Sequence, residues 1–314
     1  MSTTIEWTDE TLNPITGCDK ISPGCKLCYA KKLHDMRYQA FLNGKDMPEQ
    51  YSVPFEVVRL WPKRLEIPLH WRAGRMCFLN SMADLFHQDV PFEFIQDVLY
   101  MVAMTSHVTY QSLTKRADRM VEFFSWLQTR SGEKPSRGWL GQCLAKRIPL
   151  PNFWPGVSVE SKKYLYRLDR LRDVPAAVRM VSFAPLLEDL GKVNLQGIGW
   201  AIAEGESTPS ARPMHPAWVR SLRDQSVEAG VPFFFKQWGE WTRWEPGRPA
   251  NKVKYMRRDG TLSDYDPGFA EPMMRAGKKH AGAVLDGREW REFPKPYPGH
   301  EVIRLHRQRK AVAA

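Results

Sequence analysis

Short apolar runs alternate with amphipathic helical stretches over the first 240 residues, and this alternation is the strongest constraint on the fold. Apolar residues recur at helical spacing in the longer stretches and form compact runs in the shorter ones. Strands that alternate with helices pair in parallel, so the pattern predicts βαβ units. The predicted strands are 5–7 or 11–15, 75–80, 108–113, 156–159, 179–183, 199–203 and 232–236, and the predicted helices are 29–42, 92–105, 118–128, 162–172 and 216–229.

This number of units indicates an α/β fold, a full or partial (β/α) barrel, with an open doubly wound sheet as the alternative. In either architecture the active site lies at the carboxyl ends of the strands, so the residues just after each strand are the candidates for function. Two proline-rich segments, 45–71 and 130–155, break the alternation, and we interpret both as insertions. The chain is therefore expected to divide into a barrel over 1–240 and a small irregular or β C-terminal extension over 241–314.

The C-terminal extension is strongly basic. From Arg243 onward it holds sixteen Lys and Arg against nine Asp and Glu, so it carries seven of the eleven net positive charges. Such an excess attracts polyanions and is a common footprint of nucleic-acid binding, although a protein that merely repels itself has the same composition. Within the extension, 253–256 and 284–293 are predicted β-hairpin strands, the latter around Asp286-Gly287, and 304–314 is a basic tail.

Location follows from the absence of targeting signals in the sequence. The first ten residues are polar and lack the apolar region of a secretory signal. No apolar run approaches the ~20 residues that a membrane span requires. We therefore expect a cytoplasmic protein with no membrane partner. Thiols stay reduced in that compartment, so the five cysteines are candidate metal ligands or catalysts and not disulfides.

Three of the five cysteines cluster in one loop. Six residues separate Cys18 from Cys25, and two residues separate Cys25 from Cys28. A tight pair beside a third cysteine, among glycines and a proline, is what an iron–sulfur cluster requires, and thiolates are the ligands that iron prefers in such clusters. Three ligands to a [4Fe–4S] cluster leave one iron open.

Structural zinc is the alternative for this loop. It would need a fourth ligand, from His34, Cys77 or Cys143. Structural zinc usually takes two tight cysteine pairs or a Cys/His knuckle, and the sequence contains no second pair. The spacing therefore favours iron and sulfide over zinc.

The loop sequence G-C-D-K-I-S-P-G-C-K-L-C-Y-A resembles a family of bacteriophage and prophage proteins with cysteines of the radical S-adenosylmethionine (SAM) type. The resemblance covers roughly residues 4–240 and continues in S-M-A-D-L-F-H, G-V-S-V-E-S, E-G-E-S, A-R-P-M-H-P and F-F-F-K-Q-W-G. It implies a radical SAM barrel in which the amino and carboxylate groups of SAM chelate the open iron. Two features depart from the usual patterns. The commonest radical SAM spacing has three residues between the first two cysteines, and Ala184 and Ala203-Glu204 replace a Glu and two glycines of the family.

The resemblance also implies a reaction. A flavodoxin or ferredoxin reduces the cluster, and SAM is cleaved to methionine and a 5′-deoxyadenosyl radical, which abstracts a hydrogen from an unactivated carbon. The basic charge, with Trp238, Trp241 and Trp244 as stacking surfaces, favours DNA, RNA or a nucleotide as the substrate, and a phage setting would fit DNA base modification or repair. The alternatives are a radical enzyme acting on a small metabolite or a protein side chain, and a non-catalytic zinc-bearing nucleic-acid-binding protein.

Polar side chains follow two of the predicted strands at positions where radical SAM barrels bind their cofactor. Asn80, Ser81 and Asp84 follow the second strand, where such barrels bind the SAM amino group, and the competing explanation is helix capping. A second set follows the fourth strand, at a place that resembles the site contacting the SAM ribose: Ser158, Glu160 and Ser161. A carboxylate there can accept hydrogen bonds from two ribose hydroxyls, whereas a helix-start role is the alternative for Glu160.

Charged side chains end the last two predicted strands. Glu204 and Glu206 follow an apolar strand, and Lys236 ends the next one. Carboxylates at the end of a buried strand are costly unless they are paired or functional, so we assign all three residues to cofactor binding. The alternative is structural: Arg212 would pair with the carboxylates, and Lys236 with Glu204.

Overall fold

The computed structural model describes residues 3–130, 144–247, 253–266 and 268–295. Strands and helices alternate through most of this chain, as the sequence predicts. The strands up to residue 240 are β1 (Glu10–Leu12), β2 (Ile15–Thr16), β3 (Arg59–Leu60), β4 (Arg75–Leu79), β5 (Val108–Thr114), β6 (Phe153–Ser158), β7 (Met180–Phe183), β8 (Trp200–Glu204) and β9 (Phe233–Gln237). The helices are α1 (Tyr29–Leu42), α2 (Phe92–Met104), α3 (Ala117–Thr129), α4 (Tyr166–Arg172) and α5 (Pro216–Glu228).

Seven of these strands form one parallel sheet in the order β1-β4-β5-β6-β7-β8-β9. The spatial order follows the chain order without a reversal, so every crossover winds in the same direction and the sheet curls into a half-barrel with β1 and β9 at its edges. The predicted α/β fold and partial barrel are confirmed. The doubly wound alternative is wrong, because that fold needs a point where the strand order reverses.

Strand β6 begins at Phe153, three residues before its predicted start. Pro155 lies inside the strand, in register with Ser112 of β5. Proline lacks a backbone N–H and is usually confined to edge strands, which is why its presence favoured assigning 130–155 to an insertion. The part of that segment from 131 to 143 lies outside the described residues.

The predicted insertion 45–71 wraps one side of the cysteine-bearing loop. It contains two short 3-10 helices, Glu49–Tyr51 and Pro62–His70, and between them β3 pairs antiparallel with β2. The carbonyl oxygen of Phe55 accepts a hydrogen bond from the Cys18 backbone N–H at 2.9 Å. The segment therefore positions the first cysteine.

The sheet has an outer face covered by helices and an inner face without them. The outer core joins strand residues such as Cys77 and Tyr110 to the apolar stripes of α2, α3, α4 and α5. The inner face is filled at its amino half by a second cluster, made of Trp7, Met76, Phe78, Trp154, Val178, Met180, Trp200, Ile202 and Phe234. Polar side chains therefore remain for the carboxyl half of the inner face.

The C-terminal extension adds β structure and covers the edge of the sheet. Its strands are β10 (Trp241–Arg243), β11 (Val253–Met256), β12 (Leu262–Ser263), β13 (Glu271–Arg275), β14 (Val284–Leu285) and β15 (Arg288–Glu289), with a short helix α6 (Lys278–Ala281). Both predicted hairpin regions are confirmed as β structure, and Asp286 and Gly287 turn between β14 and β15 with φ of 51° and 80°. Phe234 of β9 then bridges antiparallel to Arg291, which protects that edge.

Two expectations about the extension remain predictions. The boundary between a barrel over 1–240 and an extension over 241–314 is one of them. The basic tail at 304–314 lies outside the described residues. Among the residues that are described, no helix combines the length and the apolar character needed to cross a bilayer.

Candidate functional site

The cysteine loop, residues 17–28, connects β2 to α1 and lies over the carboxyl ends of the central strands. Gly17 opens the loop at φ +93°, and a Cβ at this position would lie 2.3 Å from the Val57 carbonyl oxygen. Only glycine allows both the conformation and the approach. Gly17 also forms a parallel bridge with Ala83, beyond the end of β4. The loop is therefore fixed against the sheet at its first residue.

The three thiols of this loop are free and half-buried. Cys28 is the N-cap residue of α1, and Cys18 and Cys28 pack on a small apolar cluster below the loop. Burial raises the pKa of the Cys18 thiol to about 12; the Asp84 charge adds to the shift and the Arg116 charge opposes it. The thiol is neutral at pH 7, so a metal that bound there would displace its proton.

An arginine directly after β5 contacts the first cysteine. Arg116 Nη1 donates to Cys18 Sγ at 3.7 Å and to Asp84 Oδ2 at 3.2 Å. Its Nη2 pairs with Asp19, which also accepts a hydrogen bond from His87 Nε2 at 2.6 Å. Burial alone would raise the pKa of Asp19, but the Arg116 charge and the His87 hydrogen bond hold it below its usual value. Arg116 thus brings a mostly buried positive charge to the Cys18 sulfur.

The histidine of this network has a defined tautomer. His87 Nδ1 accepts a hydrogen bond from the Asp89 backbone N–H at 3.2 Å, so Nε2 carries the proton donated to Asp19. Within the described residues, Cys18, Asp19 and His87 present ligand atoms that all lie within 4.8 Å of one another. The Arg116 guanidinium beside them repels a cation. We therefore assign Asp19 and His87 the role of fixing the cysteine loop, and not that of binding a metal ion.

Asp84, a predicted SAM-binding residue, has both carboxylate oxygens occupied by the protein. Oδ1 accepts hydrogen bonds from the Phe86 backbone N–H at 3.0 Å and from Thr114 Oγ1 at 2.6 Å. Oδ2 accepts from the Lys115 backbone N–H at 3.1 Å and from Arg116. Asp84 is buried, and these contacts make it the residue that positions Arg116.

Asn80, another predicted SAM-binding residue, directly follows β4. Unlike Asp84, Asn80 makes no side-chain hydrogen bond to the described part of the protein. It adopts φ +60°, a left-handed conformation that Asn tolerates better than most residues, and it is 3% exposed. Neither its amide nitrogen nor its amide oxygen has a partner in the described part of the chain. Its neighbour Ser81 is occupied: the hydroxyl bonds with Asn13, and the carbonyl oxygen accepts from the Tyr29 hydroxyl at 2.6 Å. A buried side-chain amide without partners is costly, so Asn80 has unused hydrogen-bonding capacity.

Glu160, fully buried after β6, joins the cysteine loop to the sheet. Its Oε1 accepts from the Gly24 backbone N–H at 3.4 Å, and its Oε2 accepts from Arg167 Nη1 at 3.0 Å. A Cβ at Gly24 would lie 3.3 Å from the Glu160 side chain, so glycine permits this approach. Arg167 also donates to the Ser158 carbonyl oxygen at 2.8 Å, and Ser161 is the N-cap residue of the short helix that follows.

The predicted charged residues at the carboxyl ends of β8 and β9 are paired. Lys236 Nζ lies 2.6 Å from Glu204 Oε2, and Arg212 donates to Glu206 through Nη2 at 2.6 Å and Nε at 2.9 Å. Both pairs are those of the structural alternative. Arg212 Nη2 also donates to the Pro23 carbonyl oxygen at 3.2 Å, so the Glu206 pair contacts the cysteine loop.

The structure therefore brings side chains from three strand ends to one loop. Arg116 follows β5, Glu160 follows β6, and Arg212 follows β8. Sequence reasoning missed Arg116, although it lies three residues after the predicted strand 108–113, where the rule of strand ends points. His87 was visible only as part of a family motif. Arg167 lies on α4, and no sequence signal distinguishes it from other helical arginines.

Two of the three residues proposed as a fourth zinc ligand make other contacts in the structure. His34 Nε2 lies 2.8 Å from the Val53 carbonyl oxygen, and its ring packs against Tyr51. Cys77 is fully buried in the outer core of β4. Cys143 lies outside the described residues.

Comparison with known proteins gives one family match. The family described as "Protein of unknown function (DUF5131)" matches residues 2–294. No curated protein matches the chain. Among solved structures, a single-residue mutant of spore photoproduct lyase has a TM-score of 0.40 at 12% identity, with 88% of this chain and 71% of that chain covered. A double mutant of the same lyase, with bound AdoMet and dinucleoside spore photoproduct, has a TM-score of 0.38 at 11% identity and the same coverage. These scores are too low to support an inference about activity.

Proposed function

The chain belongs to the DUF5131 family, and we propose that it is a radical SAM enzyme whose [4Fe–4S] cluster is bound by Cys18, Cys25 and Cys28. One observation carries the proposal. A loop with three free thiols is fixed over the carboxyl ends of a parallel half-barrel by contacts from three separate strand ends. In parallel α/β folds this edge is where cofactors and substrates bind.

The residues present fit such a cluster. Thiolates are the ligands that iron–sulfur clusters require, and the loop supplies three, which leaves one iron for SAM. Arg116 places a positive charge at the Cys18 sulfur, where it offsets the negative charge of a thiolate-bound cluster. The unpartnered amide of Asn80 lies just after β4, close to the loop, and can bond a polar group of SAM. The donor set is therefore suited to this group.

When bound, the cluster supplies one electron to the SAM sulfonium, which yields methionine and a 5′-deoxyadenosyl radical able to abstract hydrogen from an unactivated carbon. The protein's own residues bind and orient. Glu160 and Arg212 hold the loop backbone at Gly24 and Pro23. The aromatic cluster on the amino half of the inner face closes the floor of the half-barrel and excludes water from below.

The proposed substrate is a nucleic acid or a nucleotide, and the proposed location is the cytoplasm. A nucleic acid or nucleotide is supported by the net charge of +11. Two of the three tryptophans proposed as stacking surfaces are not accessible to a base. Trp238 and Trp241 are buried, with their indole N–H groups bonded to the Val284 and Ala211 carbonyl oxygens. A cytoplasmic location, where thiols stay reduced, is part of the proposal. A small metabolite or a protein side chain is the alternative substrate.

Anaerobic purification with iron and sulfide reconstitution tests the proposal. We expect a brown protein with four irons and four sulfides per chain that produces 5′-deoxyadenosine from SAM and dithionite. The variant C25A should lose colour and activity. The matched control C77A removes a thiol outside the loop and should keep both.

The zinc alternative predicts a different set of results. It gives a colourless protein with about one zinc per chain and no affinity for SAM. That outcome, or a C25A variant that keeps both the cluster and SAM cleavage, would rule out the proposed function.

A further inference from the structure

A basic cleft lies beside the cysteine loop. The loop and the first turns of α1 form one wall, and residues 208–210 after β8 form the other. Its lining includes four lysines and one of the proposed cluster ligands: Lys20, Lys26, Lys31, Lys32 and Cys28. The surface is therefore adjacent to the cysteines.

One of the four lysines is ion-paired within the described residues, and the pKa of Glu56 is lowered mainly by Lys31 and to a smaller extent by the charge of a second lysine, Lys20. Lys31 pairs with Asp35 at 3.1 Å and with Glu56 at 2.8 Å. Lys20, Lys26 and Lys32 are exposed, and none makes an ion pair within the described part of the chain. Like charges held close together repel one another unless a partner neutralises them. This cluster is therefore suited to an acidic partner.

Apolar side chains on the same segments indicate a protein partner. Ile21, next to Lys20, is 38% exposed, and Met36, one helical turn after Lys32, is 62% exposed. Exposed apolar side chains among charges are typical of the centre and rim of a protein–protein interface, in which Met is enriched. Tyr29, next to Cys28, is 53% exposed, but its hydroxyl is bonded to the Ser81 carbonyl oxygen, whereas a single-stranded nucleic acid would favour several aromatic platforms for successive bases.

We propose that this basic cleft is the docking site of an acidic one-electron carrier protein that reduces the cluster past Cys28. The proposal rests on the radical SAM function. One electron leaves the reduced carrier, which is oxidised by one electron, and enters the cluster, which is reduced by one; no bond to the carrier forms or breaks. The lysines attract the carrier and raise the association rate, as charged surfaces do in transient electron-transfer complexes.

The double variant K26E/K32E tests this surface. Its matched control, K146E/R147E, makes the same change in charge at exposed residues before β6, at the opposite end of the sheet. Each protein is loaded anaerobically and mixed with reduced [2Fe–2S] ferredoxin, whose oxidation is followed by stopped-flow absorbance. The dissociation constant for oxidised ferredoxin is measured by calorimetry at low and high salt. A parallel assay replaces ferredoxin with dithionite.

We expect K26E/K32E to slow reduction by ferredoxin at least about tenfold at low salt and to weaken binding by a similar factor, with a flatter salt dependence. Iron content and dithionite-driven SAM cleavage should match wild type, and the control should match wild type in every assay. The single variant K32E lies on α1, outside the loop. It should shift the ferredoxin rate in the same direction by about threefold, which guards against a misfolded loop in the double variant.

The two proposals fail in different ways. If wild-type protein binds no cluster or cleaves no SAM with dithionite, the radical SAM function fails and the docking site fails with it. If dithionite works but K26E/K32E accepts electrons from ferredoxin as fast as wild type, only the docking site is wrong. The docking site is also wrong if the control slows equally, or if the double variant loses only salt-dependent oligonucleotide binding.

Discussion

The two halves of the inner face of the sheet are built from opposite kinds of side chain. At the amino half, Trp200 packs edge-to-face against Trp7, Trp154 and Phe234, with ring centroids 6.1 to 6.2 Å apart. At the carboxyl edge the side chains are charged and paired, as in Glu160 with Arg167. Burial of apolar surface stabilises the first region, whereas the second costs desolvation and is stable only while every charge keeps its partner. The amino half therefore stabilises the fold, and the carboxyl edge holds the cysteine loop in place.

The largest effect is expected in the amino half. Trp200→Ala removes a fully buried indole that contacts four other rings, those of Trp7, Trp154, Phe234 and Phe293, and donates to the Glu292 carbonyl oxygen. We expect the free energy of unfolding to fall by about 4 kcal/mol, measured by urea denaturation. Phe269→Ala, at a residue that is 94% exposed, is the control and should change it by less than about 0.5 kcal/mol. A loss below about 1 kcal/mol at Trp200 would show that the aromatic cluster is not the stabilising half.

Glu160→Leu tests the charged edge and should cost slightly less, about 3 kcal/mol, because it leaves the Arg167 charge buried without a carboxylate beside it. The double variant E160L/R167M should recover most of that stability, since no lone charge remains. Neither variant restores the bond to the Gly24 N–H, so both should retain less iron than wild type after reconstitution. Full iron retention in the double variant would mean that Glu160 has no part in positioning the loop.

Arg116→Gln should have a moderate effect on stability and a specific effect on the cluster. Asp84 keeps its other three hydrogen bonds, so we expect a loss of about 1–2 kcal/mol. Removing a positive charge from the Cys18 sulfur should make the reduction potential more negative, measured by potentiometry with electron paramagnetic resonance. The control R119Q changes an arginine on α3, three residues after Arg116, whose hydrogen bonds go to the backbone carbonyl oxygens of His87 and Val90. Equal shifts in the two variants would argue against a local role for Arg116.

The smallest effect is expected where the C-terminal hairpin packs on α5. The hydrogen bond from Arg220, with support from Arg223, lowers the pKa of Asp286 below its usual value. Its folded pKa therefore lies below that of the unfolded chain, so the stabilisation is complete above about pH 5 and is lost as the pH falls through the folded pKa. About a third of the side chain is exposed, so solvent screening limits the contribution to about 0.5 kcal/mol.

Asp286→Asn keeps a residue that tolerates φ of 51°, so it isolates the charge. The difference in unfolding free energy from wild type should be present at pH 7 and should shrink below about pH 4. A difference that grows as the pH falls would have the wrong sign for an ion pair at this residue.

Periodicity predicted the elements of the sheet well because each strand and helix is a local pattern. It misplaced the start of β6 by three residues, because Pro155 lies inside this central strand, a position from which proline is usually excluded. For the candidate site, the strand-end rule identified Asn80, Glu160 and Glu206, since position along the chain decides which residues reach that edge. Their individual roles stay predictions. The rule does not predict which of these side chains form hydrogen bonds or ion pairs with other parts of the protein.

The sequence by itself determined a parallel α/β sheet, a loop with three cysteines and the edge of the sheet at which that loop must lie. These properties depend on local periodicity, on spacing and on the direction of parallel strands. Only the tertiary structure decided that Arg116 contacts Cys18, that Glu160 pairs with Arg167 and that the Asn80 amide is left without a partner. Such pairings join residues that are far apart in the chain. Whether a buried charge is neutralised by the protein or remains free to bind a ligand depends on the distance to its partner, and no local sequence pattern contains that distance.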